Sequence, residues 1–265
     1  MDEPSKRQVL RRGIYLLPNL LTTAALFAGF YAVVAAIDGH FERAAVAIFV
    51  AMLFDGLDGR VARMTHTESS FGKEYDSLSD MVSFGLAPAI VAYQWGVARI
   101  VEAVSETGQH GVLWSRLGWL ATFFFAAAAA LRLARFNARS ASQDKRYFEG
   151  LPSPSAAALV ASFIWFAFEN ELHAVLGLVT AFAVTAVAGA LMVSRFPYWS
   201  FKQIDWRSPV RFLYFILLIV PFVIIPLDPP VALFTLFGVY SLSGPATWAW
   251  RKTRRRPARN LPGPS

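Results

Sequence analysis

The sequence predicts an all-α, polytopic transmembrane bundle of about eight spans with both termini cytoplasmic, and three observations carry that expectation. Hydrophobic residues make up 55% of the 265-residue chain against 16% charged, too apolar a balance for soluble domains. The apolar residues fall into long uncharged runs of the kind that face lipid. The basic residues between those runs are distributed unevenly, as the positive-inside rule requires.

The first run, Leu16 to Ile37, follows Lys6, Arg7, Arg11 and Arg12. It has the length of a span and no clear small-residue cleavage site, so it reads as retained, with Pro18 near its start. Ala44 to Leu57 and Met81 to Val101 follow; the second helix extends through Asp55 to Arg63 and the third starts near Lys73. The remaining runs are Leu117 to Leu131, Ser155 to Phe168, Leu172 to Val193, Phe212 to Leu227 and Pro229 to Ser243. Pro154 suits the start of the fifth helix. A re-entrant pair in place of the fifth and eighth spans is the competing arrangement. Trp95, Trp114, Trp119, Trp165, Trp199, Trp206 and Trp248 are expected mostly near the membrane interfaces.

With an even count and a cytoplasmic N-terminus, Arg60, Arg63 and Lys73 face the cytoplasm. So do Arg132, Arg135, Arg139, Lys145 and Arg146, then Arg195, Lys202, Arg207 and Arg211. The opposite side receives Arg43, Arg99 and Arg116 among several acids. The chain then divides into a basic segment 1–15, a catalytic membrane part 16–150, completing helices 151–250 and a basic tail 251–265. That tail either lies on anionic headgroups or merely aids solubility.

The net charge of +7 does not point to nucleic acid, because apolar spans interrupt the basic residues before they can form one face. The absence of cysteine excludes disulfides and thiolate zinc sites.

Chemistry concentrates in Asp55-Gly56-Leu57-Asp58-Gly59-Arg60-Val61-Ala62-Arg63 and Gly72-Lys73-Glu74-Tyr75-Asp76-Ser77-Leu78-Ser79-Asp80. On helices, Asp55 and Asp58 share a face at i,i+3, and Asp76 and Asp80 share one at i,i+4. Carboxylates so close repel unless positive charge lies between them, and one or two divalent ions would supply it. With no soft ligands present, Mg2+ or Mn2+ is favoured, two ions fitting a pyrophosphate substrate. Gly56 and Gly59 allow either a substrate or a neighbouring helix to approach the backbone. Arg63 can grip a phosphate oxygen or serve as an interfacial cation.

The pattern D-x2-D-G-x2-A-R-x8-G-x3-D-x3-D is met by Asp55, Asp58, Gly59, Ala62, Arg63, Gly72, Asp76 and Asp80. It resembles the signature of the CDP-alcohol phosphatidyltransferase family. The resemblance implies helical membrane enzymes, commonly homodimers, which use a CDP-linked lipid, release CMP and need Mg2+ or Mn2+. It implies metal ligation by Asp55, Asp58, Asp76 and Asp80, with Asp80 also the base for the acceptor hydroxyl. Gly59, Arg63 and Gly72 become donor-side contacts, and Pro18-Asn19-Leu20-Leu21-Thr22 is similar to the family's first helix, with Asn19 and Thr22 near the nucleotide.

Leu131-Arg132-Leu133-Ala134-Arg135-Phe136-Asn137 and Phe148-Glu149-Gly150-Leu151-Pro152-Ser153-Pro154-Ser155-Ala156-Ala157 resemble hallmarks of the family's phosphatidylserine synthase branch. That branch implies CDP-diacylglycerol as donor and L-serine as acceptor. A serine carboxylate calls for an arginine with polar neighbours, which Arg132, Arg135, Asn137 and Arg139 offer. Arg135 and Asn137 either recognise the acceptor or anchor the helix end, Phe136 reads as packing, and Gly150 with Pro152 shapes a rigid turn. Inositol phosphate, glycerol phosphate or choline is the alternative acceptor. A non-catalytic divalent-ion transporter is the alternative of another class. The expected location is a prokaryotic inner membrane, among phospholipids, with the site facing the cytoplasm.

Overall fold

The computed structural model describes residues 6–96, 111–138, 147–172, 174–199 and 225–254. In chain order these form α1 (Lys6–Ile37), α2 (Phe41–Thr65), α3 (Ser70–Asp80), a π turn (Met81–Leu86) and α4 (87–96). Then come α5 (Gly111–Ala138), β1 (Tyr147–Glu149), α6 (Ser153–Glu169), α7 (Ala174–Val193), β2 (Pro197–Trp199) and α8 (Pro229–Arg254). Three described helices have the length and apolarity to cross a membrane, over Leu16–Ile37, Arg116–Ala138 and Leu176–Val193. The protein is thus a multi-span helical bundle of the membrane.

Within the described residues these helices coincide with the first six apolar runs, the third of them described only to residue 96, and with the eighth. The seventh, Phe212 to Leu227, lies outside the described residues except for 225–227, which form a turn.

Alanine dominates where helices meet. α1 and α2 form the most extensive pair, with Ala28, Ala32, Ala35 and Ala36 buried alongside Ala44, Ala45, Ile48 and Ala51. Small side chains let the two backbones approach closely, which is how helices associate where lipid is as apolar as leucine. Leu20, Phe27, Phe30 and Val34 of α1 stay exposed, as a lipid-facing side requires. α6 is the central post: short, apolar and buried over most of its length, it packs on α2, α7, α8 and the π turn.

Several local expectations change. α1 begins at Lys6, so Pro18 lies inside a helix and the basic segment 6–15 continues that helix. α8 likewise runs through Pro245 to Arg254, making Arg251, Lys252 and Arg254 helical. Trp95 and Trp165 are buried in the core and do not belong to an interfacial belt; the tip of the Trp95 ring lies where a side chain on Gly177 would go.

The turn before α6 takes the rigid shape anticipated. Gly150 has φ +79°, and a Cβ there would strike the Met192 carbonyl. Its N–H donates to Phe196 O at 3.0 Å, and Leu151 N–H donates to Leu191 O at 3.0 Å. Pro152 occupies the cap position of α6 and Pro154 its first turn. A two-stranded antiparallel ribbon, absent from the sequence reading, extends this contact by pairing Phe148 with Tyr198. Tyr198 is buried and donates to Ser241 O at 2.8 Å, tying the ribbon to α8.

Candidate active site

The two halves of the acidic motif meet because α2 stops abruptly. His66 adopts the left-handed conformation at φ 52°, its N–H facing the Ala62 and Arg63 carbonyls. Ser69 then caps α3 by accepting from Gly72 N–H at 3.0 Å. This short link folds α3 back along α1, with the π turn touching α1 and α2.

One carboxylate oxygen each from Asp55, Asp76 and Asp80 lies within 4.8 Å of the others. At an effective dielectric near 20, each fully charged pair at that separation repels by about 3.5 kcal/mol. All the donors are hard oxygens, and the residues fit a hard divalent cation. Asp58 holds a different position: only 5% exposed, it accepts at Oδ2 from Thr22 Oγ1 at 2.6 Å.

Two more hydroxyls fasten this region to α1. Ser79 Oγ donates to Thr22 O at 3.2 Å, and Ser83 Oγ donates to Ala25 O at 3.1 Å. Gly29 permits the second contact, since a Cβ there would lie 2.7 Å from the Ser83 Cα. The π turn begins directly after Asp80, so the extra residue in its turn sets how the acidic end of α3 continues into α4.

Beside the triad is a cavity of about 630 Å³, lined by Asn19 and Thr22 of α1, Asp58, Gly59 and Arg63 of α2, and Gly72 and Asp76 of α3. Asp76 belongs to both cavity and triad. Gly59 leaves room for the Arg63 guanidinium, whose Nη1 would lie 3.4 Å from a Cβ at that position. Gly72 does the same for Asn19, at 3.4 Å from its Oδ1. Gly56, by contrast, has open space around it, and no described helix packs on it. Thr67, Glu68, Ser69, Ser70 and Lys73 also line the wall. Sequence reasoning passed over the first four, and their position within the motif's eight-residue gap was the available signal; Lys73 follows Gly72 and was read as a charge facing the cytoplasm.

The residues at the end of α5 separate. Arg132 Nη1 donates to Ser153 Oγ at 2.5 Å, and its charge interacts with Asp80 and Tyr240. Arg135 Nη1 donates to Val193 O at 3.2 Å, the bond its helix-anchoring alternative requires. Asn137 Nδ2 donates to Ser77 Oγ on α3 at 2.9 Å. Phe136, read as packing, is instead 53% exposed and lines the cavity. Arg139 lies outside the described residues.

The profile of the CDP-alcohol phosphatidyltransferase family matches residues 15–196. The chain is 35% identical over 239 residues to CDP-diacylglycerol–serine O-phosphatidyltransferase of Helicobacter pylori (strain ATCC 700392 / 26695), covering 89% of this chain and 92% of the relative. It is 36% identical over 184 residues to archaetidylserine synthase of Methanothermobacter thermautotrophicus, covering 69% of each. It is 36% identical over 158 residues to CDP-diacylglycerol–serine O-phosphatidyltransferase of Saccharomyces cerevisiae, over 54% of this chain and 51% of the relative. The profile match spans the acidic triad, the cavity and the ends of α5 and α7 together, and the chain belongs to the CDP-alcohol phosphatidyltransferase family.

Proposed function

We propose that this membrane enzyme transfers the phosphatidyl group of CDP-diacylglycerol to the hydroxyl of L-serine, giving phosphatidylserine and CMP. The near full-length similarity to a serine phosphatidyltransferase supports this reading most strongly, and all three relatives carry serine in their names.

Asp55, Asp76 and Asp80 would hold a divalent ion, Mg2+ or Mn2+, which when bound would supply charge neutralisation at the donor pyrophosphate and lower the pKa of an attacking hydroxyl. Asp58 is the remaining carboxylate available to a second ion, and Thr22 keeps it oriented. Arg63 pairs with a phosphate oxygen through its planar fork. Asn19 and the bare backbone of Gly59 and Gly72 shape the wall against which the nucleotide lies. Asp80 accepts the serine hydroxyl proton as that oxygen forms its bond to the phosphorus carrying diacylglycerol. The bond from that phosphorus to CMP breaks, and CMP leaves with the electron pair.

The site faces the cytoplasm, where serine is dissolved, and the protein works as a homodimer among phospholipids. Purified protein given CDP-diacylglycerol, Mn2+ and a panel of serine, glycerol phosphate, inositol phosphate and choline tests the reading through CMP release. Serine should support turnover well above the others. A phosphorylated acceptor outperforming serine would replace it.

A further inference from the structure

A second cavity, of about 900 Å³, lies between α1 and α2 on their lipid-facing side. Its α1 wall is the stripe Leu20, Ala24, Phe27 and Tyr31, at the three- and four-residue spacing of one helix face. Val46, Val50 and Phe54 form the α2 wall in steps of four. No lining residue is common to this groove and the cavity beside the triad. From Leu20 to Tyr31 the wall rises about 16 Å at about 1.5 Å per residue, close to half of a hydrocarbon core about 30 Å thick. The groove therefore has the depth of one leaflet.

Its two ends differ. Toward the acidic motif, the hydroxyl on the wall is already used: Thr23 Oγ1 donates to Asn19 O at 2.7 Å and shares a 2.9 Å hydrogen bond with the Tyr75 hydroxyl of α3, whose ring stacks on Phe71. At the far end, Glu42 and Arg43 of the first turn of α2 line the mouth, and Tyr31 is the α1 wall residue nearest the turn between the helices. Among the described residues, none of these three side chains has a hydrogen-bond or ion-pair partner. An apolar groove with an anionic and a cationic group side by side at its mouth matches a lipid whose headgroup carries both charges.

We propose that this groove binds a phospholipid of the leaflet opposite the acidic motif, one whose headgroup joins a phosphate to a primary ammonium, as in phosphatidylethanolamine. Arg43 pairs with the phosphate, Glu42 accepts from the ammonium, and an acyl chain lies along the stripe below Tyr31. The trimethylated ammonium of phosphatidylcholine has no N–H to donate, and phosphatidylglycerol offers no countercharge to Glu42, so both bind less well. The bound lipid braces α1 against α2 from behind the face that carries Asn19, Thr22 and Asp58, and so acts on stability and not on the chemical step.

The test uses full-length protein in detergent micelles doped with the dioleoyl form of each of the three lipids. Native mass spectrometry reads the lipid retained, and thermal melting reads its effect. Wild type should retain one phosphatidylethanolamine per chain, with a roughly 10-fold preference over the other two. Near saturation that lipid should raise Tm by roughly 5 °C. Arg43→Ala and Glu42→Gln should bring the preference toward one, and Val46→Trp, which fills the groove, should abolish retention. All three variants should leave CMP release and the donor KM unchanged. Should Val46→Trp not fold, Ala24→Phe fills the same groove. Equal retention of the three lipids by wild type, or an unaltered preference in both charge variants, overturns the proposal. Displacement of phosphatidylethanolamine by equimolar CDP-diacylglycerol, with a raised donor KM in Val46→Trp, gives the groove to the donor's acyl chains and also overturns it. So does a wild type that retains no lipid and forms a dimer that Val46→Trp separates, which gives the groove to a second copy of the chain.

Discussion

Replacing Asp76 by asparagine should move stability in opposite directions depending on whether metal is present. Asp76 shares the 4.8 Å triad with Asp55 and Asp80, so the substitution removes two of its three repulsive pairs. At full charge each is worth about 3.5 kcal/mol at an effective dielectric near 20. Shared protons and nearby water absorb much of this, leaving about 2 kcal/mol of relief, or roughly 4–8 °C in Tm. The metal-free variant should therefore melt above wild type. At about 100 times Kd, Mn2+ should add about 2.7 kcal/mol to wild type and nearly nothing to the variant, reversing their order. Fluorescence-monitored melting in detergent, with EDTA and across a Mn2+ titration, reads both quantities. A variant that melts below wild type in EDTA, or keeps the full metal shift, would refute the reasoning.

Other substitutions test separate parts of the site. Asp80→Asn should lower kcat by roughly 100-fold or more while CDP-diacylglycerol still binds, as read by turnover and by donor-dependent melting. Arg63→Lys should raise the donor KM several-fold, because an ammonium cannot reproduce the guanidinium fork in the space Gly59 leaves. Gly150→Ala should destabilise the fold by about 1–3 kcal/mol or prevent its assembly, through its positive φ and the collision with the Met192 carbonyl. Its melting temperature and yield check that outcome.

Much of this architecture is written in local pattern. The apolar runs located the described helices, and the i,i+3 and i,i+4 spacings placed each acidic pair on one helix face. Other features depend on partners far away in the chain. Nothing adjacent to Asp58 announces Thr22, and nothing adjacent to Ser79 or Ser83 announces their bonds to α1. The π turn after Asp80 looks like ordinary helix in sequence, because a single extra residue per turn leaves no compositional trace. At both ends helix runs into a segment set apart by its charge: α1 begins at Lys6, within 1–15, and α8 continues to Arg254, within 251–265, as a helix reaching the polar interface can. The ribbon between Tyr147–Glu149 and Pro197–Trp199 was hidden because each strand is too short to show alternation.

The most direct measurement is anomalous scattering from crystals grown with Mn2+ and CDP-diacylglycerol. A manganese peak bounded by Asp55, Asp76 and Asp80, in contact with the donor pyrophosphate and with Arg63 on a phosphate oxygen, is the predicted result. Donor bound in the cavity with no metal at the triad, or with those three carboxylates turned away from one another, would contradict it.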